Sequence, residues 1–87
     1  MSRAGRPTVT LYTKPGCHLC ESVEQTLAVA RLRRDFDLVT RNILDDPADF
    51  EKYQYAIPVV LIGAVEVARF RLDLSSFLAA LDGADGS

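Results

Sequence analysis

Thr10-Leu11-Tyr12-Thr13-Lys14-Pro15-Gly16-Cys17-His18-Leu19-Cys20-Glu21 is the stretch that decides the fold. Its first half, taken back to Thr8, is β-branched and aromatic with period two and predicts a strand over Thr8–Thr13. Lys14-Pro15-Gly16 then breaks the pattern. From Cys17 the period becomes helical, with Leu19, Val23, Leu27 and Ala30 four, four and three residues apart on one face. Glu21 and Glu24 near its start and Arg31, Arg33 and Arg34 near its end complement the helix dipole. Two cysteines therefore stand at a strand-to-helix junction.

Working outward, Asp35–Ile43 alternates again, with Phe36, Leu38 and Thr40 on one side, and predicts a second strand. Strand, helix, strand within so short a span is a βαβ unit, whose right-handed crossover makes the two strands parallel. Asp45-Asp46-Pro47 has the form of a helix start, an acidic cap followed by proline, for a short helix over Ala48–Tyr55. Ile57–Ile62 predicts a buried strand, Gly63-Ala64 a tight turn and Val65–Phe70 a partner strand. Asp73 or Ser75 would cap a last helix that buries Leu74, Phe77, Leu78 and Leu81. The order β-α-β-α-β-β-α predicts an α/β domain: a mixed four-stranded sheet flanked by helices. The expected domain is 8–82, with 1–7 and 83–87 as flexible ends.

Eighty-seven residues make one small domain, and 48% apolar with 25% charged residues is a globular composition. Ten basic against twelve acidic side chains leave a net charge of −2, which argues against nucleic acid as a partner. The longest apolar stretch, Ala56–Val65, is too short to span a bilayer and is interrupted by Pro58 and Gly63. Met1–Pro7 has two arginines with no hydrophobic run behind them, so the expectation is a cytoplasmic monomer without a membrane partner.

Cys17 and Cys20 are the only cysteines. Closing so short a loop removes only about 2 kcal/mol of unfolded-state entropy, which makes the pair a poor staple and better suited to chemistry. At a helix start, unpaired N–H groups and the positive end of the dipole favour a thiolate on Cys17. Cys20 lies one turn on, placed to attack a mixed disulfide at Cys17. A zinc site needs about four ligands, more than Cys17, His18, Cys20 and scattered carboxylates readily supply without dimerisation. Covalent haem attachment needs His after the second Cys, where Glu21 stands. Two inert buried cysteines remain the plain alternative. His18, the only histidine, either lowers the Cys17 pKa when protonated or stands in solvent tuning nothing, and both readings stay open. Leu19 packs or offers an apolar lip to a partner. Asp45, Asp46, Asp49 and Glu51 read as a solvated helix start, and Tyr12, Tyr53 and Tyr55 as core-edge residues. Pro58 opens a strand, and with about 5–6% of X–Pro bonds cis, the bare sequence predicts trans.

The run from Thr10 to Glu21 resembles the glutaredoxin-like proteins of the thioredoxin superfamily, in particular a small group with Cys-x-x-Cys-Glu. The likeness extends from about Thr8 to Leu81 and implies a thioredoxin fold, in agreement with the periodicity. It also implies Cys17 as nucleophile, Cys20 as resolving cysteine and a cis bond before Pro58, with Ile57 presenting backbone to substrate. Lys14 matches a residue that contacts the carboxylate of glutathione. Lys14, His18, Ile57 and Pro58 are thus the expected substrate-binding residues. Cys-His-Leu-Cys departs from the Cys-Pro-Tyr-Cys of typical glutaredoxins, and Gly16 stands where thioredoxins have Trp. Where glutaredoxins place Gly-Gly and an acid to hold glutathione, counting from Pro58 gives Ala68-Arg69 and then Phe70-Arg71. Asp73 would restore the acid only if the loop shifted by a residue or two. The expectation is a protein disulfide substrate, a protein dithiol reductant, weak use of glutathione, and no metal or other cofactor, with a non-catalytic thioredoxin-fold binding module and a dimeric carrier of zinc or an iron–sulfur cluster as the alternatives.

Overall fold

The computed structural model describes residues 7–85. Its four strands are β1 Thr8–Thr13, β2 Asp37–Asn42, β3 Val59–Ile62 and β4 Val65–Arg69, and its helices are α1 His18–Arg31, α2 Pro47–Tyr53 and α3 Leu74–Asp85. The sheet order is β2-β1-β3-β4. β1 pairs parallel with β2, antiparallel with β3, and β3 pairs antiparallel with β4. A mixed four-stranded sheet flanked by three helices is the expected fold.

Alternation along the strands divides the core between the sheet's two faces. Val9 and Leu11 of β1 join Val60 and Ile62 of β3, packed with Val23, Leu27 and Ala30 of α1 and Phe77 and Leu81 of α3. Phe36 meets Phe77 edge-on at 5.6 Å in the same cluster. Val59 instead joins Cys20, Ile43, Tyr53, Ala56 and Ile57, with Tyr12, Cys17 and Leu61 against them. The sheet is therefore apolar on both faces, and the second cluster contains the dithiol.

Several boundaries move for identifiable reasons. On α1 the buried stripe is Cys20, Val23, Leu27 and Ala30, so Leu19 is displaced from the core face and exposed. β2 begins at Asp37 and stops at Asn42, whose Oδ1 accepts the Leu44 N–H at 2.9 Å and starts a 3-10 turn over Ile43–Asp45. α2 follows on an Asp46 cap, with Oδ1 accepting the Ala48 N–H at 2.8 Å, and ends two residues earlier than expected. Tyr55 lies beyond it and is solvent-exposed rather than at a core edge. Ile57 and Pro58 precede β3, and Phe70 lies past the end of β4. α3 runs on to Asp85, three residues past the expected boundary, while residues 1–6 and 86–87 lie outside the described residues.

The β3–β4 hairpin turns on Gly63, whose φ of 60° suits the first central position of a two-residue turn. Its register jumps from Val60↔Ala68 to Leu61↔Glu66, so Val67 is the extra residue of a β-bulge.

Asp73 caps α3: its Oδ2 accepts the Ser76 N–H at 2.9 Å, and this bond holds its carboxyl below the ordinary 3.8. The Arg34 guanidinium does the same to Asp82 across a 2.8 Å bond that joins the chain just after α1 to α3. A lowered folded-state value means that stability is present above the unfolded value and lost as pH falls through the folded one. Both groups are exposed, so the effect is modest. The doubly substituted Asp73→Asn, Asp82→Asn protein should therefore show a shallower acid decline of its thermal midpoint than the parent from about pH 5 to about pH 2, read by circular dichroism.

Candidate active site

β1 delivers the chain into Lys14-Pro15-Gly16-Cys17, which has the type II turn pattern of proline second and positive-φ glycine third. Gly16 sits at φ 78°, and a Cβ added there would meet nothing within 4 Å, so conformation and not space selects glycine. Cys17 is the N-cap of α1 in extended conformation, φ −96° and ψ 110°. Its Sγ accepts the Cys20 N–H at 3.1 Å, the role a serine or aspartate oxygen usually plays. Cys17 is half-buried and Cys20 is 1% exposed. Their Cα atoms lie 5.2 Å apart and the two sulfurs form a disulfide. The pair thus has one half-buried cysteine at the helix end and one enclosed behind it.

Ile57 packs in the cluster that holds both cysteines, and the Ile57–Pro58 peptide bond is cis. Pro58 itself is fully buried. Lys14 and His18 behave differently: both are exposed, and neither side chain makes a hydrogen bond or ion pair among the described residues. Of the predicted site residues, the structure gathers Cys17, Cys20, Ile57 and Pro58, and leaves Lys14 and His18 in solvent nearby.

Two further groups support this arrangement. Tyr12 of β1 stacks on Tyr53 of α2 with centroids 4.3 Å apart, and both rings belong to the dithiol's cluster. Burial first, then the charge of Asp49 and the neighbouring Tyr53, push the Tyr12 phenol above its ordinary 10.0. Arg41 of β2 binds Asp49 of α2 at 3.0 Å and lies 3.8 Å from Asp46. Asp46 and Asp49 are therefore working contacts of α2, a correction to their reading as a merely solvated helix start. These bonds fix the helix that leads into Ala56, Ile57 and Pro58. In the sequence, the one sign of this role is the period-two placement of Tyr12 opposite Leu11.

The second group is the loop after β4. Phe70 has φ 67°, the one positive value at a non-glycine residue among the described residues. Side chains occupy that region at a cost on the order of 1–3 kcal/mol. The Phe70 N–H donates to the Pro58 carbonyl at 2.8 Å, and the Arg71 N–H to the Arg69 carbonyl at 2.7 Å, closing a γ-turn around Phe70. Phenylalanine has no preference for a left-handed backbone, so no sequence signal marks this feature. Arg69 is held by Glu66, whereas Arg71 is exposed without an ion pair among the described residues.

A Cys-x-x-Cys pair at the first turn of α1, on a β2-β1-β3-β4 mixed sheet, defines a thioredoxin-fold domain. Thioredoxin 1 of Thermosipho africanus shares this fold, with a TM-score of 0.60 at 15% identity over 90% of this chain and 98% of that one. More particularly, the chain belongs to the family of the Glutaredoxin-like domain (DUF836), whose model matches residues 8–82. A Nitrosomonas europaea protein solved by NMR in solution superposes with a TM-score of 0.77 at 25% identity, covering 93% of this chain and 98% of its own. The Gene 56 protein of Mycobacterium phage L5 is 41% identical over 59 residues, 68% of this chain, and the match spans about half of that relative's length, 50%. Among the described residues, no helix is long and apolar enough to cross a membrane, and no three His, Cys, Asp or Glu side chains gather as a metal site.

In the reduced protein the burial difference should govern labelling. Iodoacetamide near neutral pH should alkylate Cys17 at least about tenfold faster than Cys20. Mass spectrometry of Cys17→Ser and Cys20→Ser reads this directly, and faster labelling of Cys20 reverses the order.

Proposed function

We propose that this domain is a thiol–disulfide oxidoreductase acting through the Cys17–Cys20 pair, with a protein disulfide as substrate and a protein dithiol as reductant. The observation that carries this reading is the cap geometry: the sulfur of half-buried Cys17 accepts the Cys20 N–H at 3.1 Å, and buried Cys20 is in disulfide contact with it. The same N–H and the helix end favour the thiolate at Cys17, which is the attacking form.

In the reduced protein, the Cys17 thiolate attacks one sulfur of the substrate disulfide. One S–S bond forms, one breaks, and the other substrate sulfur leaves as a thiolate. The Cys20 thiolate then attacks Cys17, releasing the second substrate thiol and closing the Cys17–Cys20 bond. The substrate gains two electrons and the domain loses two. A dithiol donor restores the reduced pair by the reverse exchange. On this reading Ile57 and Pro58 present backbone to the substrate chain beside the sulfurs. The expected setting is the cytoplasm, where such donors keep thiols reduced, with the domain acting as a monomer. Thiol titration should find two thiols after reduction and none after mild oxidation. The Cys20→Ser variant should hold substrate as a mixed disulfide, and two thiols that never form a bridge would falsify the proposal.

Weak use of glutathione is supported by the loop after β4. Arg71 places a cation where an acid would be needed for the γ-glutamyl ammonium. The bulge at Val67 supplies a one-residue shift, but the Asp73 carboxylate is occupied by the Ser76 N–H as a helix cap. Protein disulfide should therefore be reduced in preference to a glutathione mixed disulfide when the two are assayed side by side. Turnover of the glutathione substrate as fast as the protein substrate would overturn this preference.

A further inference from the structure

We infer that Phe70 is a specificity-determining residue, held beside the Ile57–Pro58 edge to receive apolar side chains flanking the cysteine of a polypeptide disulfide, an assignment that rests on the exchange chemistry proposed above. Phe70 occupies a φ of 67°, where glycine is at home and a bulky aromatic is an outlier. The residue is nonetheless 45% exposed, so the strained backbone is not matched by full burial in the core. Two backbone bonds, Phe70 N–H to the Pro58 carbonyl and Arg71 N–H to the Arg69 carbonyl, fix the turn. The neighbour of Pro58, Ile57, packs in one cluster with Cys17 and Cys20. Leu19, between the two cysteines in the chain, is also exposed, at 49%.

Strained residues that their surroundings hold in place cluster at active sites and ligand clamps. Exposed aromatic side chains on a fixed backbone also carry a large share of contact energy at protein interfaces. The occupant that fits is a polypeptide with leucine-like side chains around its cysteine. A small hydrophilic disulfide has no apolar area to place against Phe70 and Leu19.

The test uses the Cys20→Ser protein, in which exchange stops at the first step. Its Cys17 thiolate takes one half of a symmetric peptide disulfide and releases the other half as a thiolate, so bonds and electrons balance. The probes are the disulfides of N-acetyl-Leu-Cys-Leu-amide and N-acetyl-Gly-Cys-Gly-amide, with the mixed disulfide quantified by mass spectrometry at equilibrium. Cys20→Ser should prefer the leucine peptide by about tenfold, the scale of one interface hot spot. Adding Phe70→Gly should reduce that preference to within about twofold. Phe70→Asn, which also tolerates the left-handed backbone, should lose the preference in the same way. A leucine preference that survives both substitutions overturns the role of Phe70 alone. If Cys17 forms no mixed disulfide with either peptide, the exchange reading itself fails and the role of Phe70 falls with it.

Discussion

The period-two alternation of β1 is the constraint on which the rest of the structure depends. β1 is an inner strand, paired parallel on one side and antiparallel on the other. Its odd positions Val9 and Leu11 face α1 and α3, and its even position Tyr12 reaches the opposite cluster and stacks on Tyr53. A one-residue slip would exchange these faces, placing a phenol among the aliphatic side chains and stranding Leu11 beneath α2. The strand is therefore held in register from both sides of the sheet. Because its end is fixed, so is the turn that begins at Lys14 and the point where α1 starts.

The dithiol follows from that placement rather than from a dedicated pocket. A helix must leave its first N–H groups without intrahelical partners, and here a sulfur takes the position usually filled by oxygen. One turn along, the inward stripe of α1 begins, and Cys20 is enclosed by Ile43, Tyr53, Ala56, Ile57 and Val59, while Val23 and Leu27 further along the helix join the other cluster. Accessibility and shelter are thus assigned to the two sulfurs by helix geometry alone. The loop with Ile57 and Pro58 is brought to them by α2, which Arg41–Asp49 and Tyr12–Tyr53 tie to the first two strands.

Most of this is legible in the chain because it depends on periodicity and on turn chemistry. The change from period two to a helical period at Cys17, the Pro15-Gly16 break and the Asp46-Pro47 start each have a local physical cause that the residues display. Leu19 is ambiguous because both it and Cys20 fit the helical spacing, and only the sheet decides which of two adjacent residues points inward. The 3-10 turn before the second helix is set by the capping of Asn42. An asparagine is equally at home in an open loop, so that turn does not show in the sequence. The loop after β4 is the least legible part. Counting residues from Pro58 assumes an unbroken ladder, and Val67 adds one to β4 that pairs with nothing. That insertion makes Phe70 the residue whose N–H reaches the Pro58 carbonyl.

The same bulge has a consequence for how separate copies of the domain meet. An open sheet has two outer strands, and a long flat outer strand is a template on which another chain can add itself. β4 is short, bent at Val67, and carries the charged residues Glu66 and Arg69, which bind each other across its surface. β2 carries Arg41, drawn down onto Asp49. A domain with a two-sided apolar sheet thereby carries a bulge and paired charges on one rim and a paired arginine on the other, features that work against the addition of a further strand.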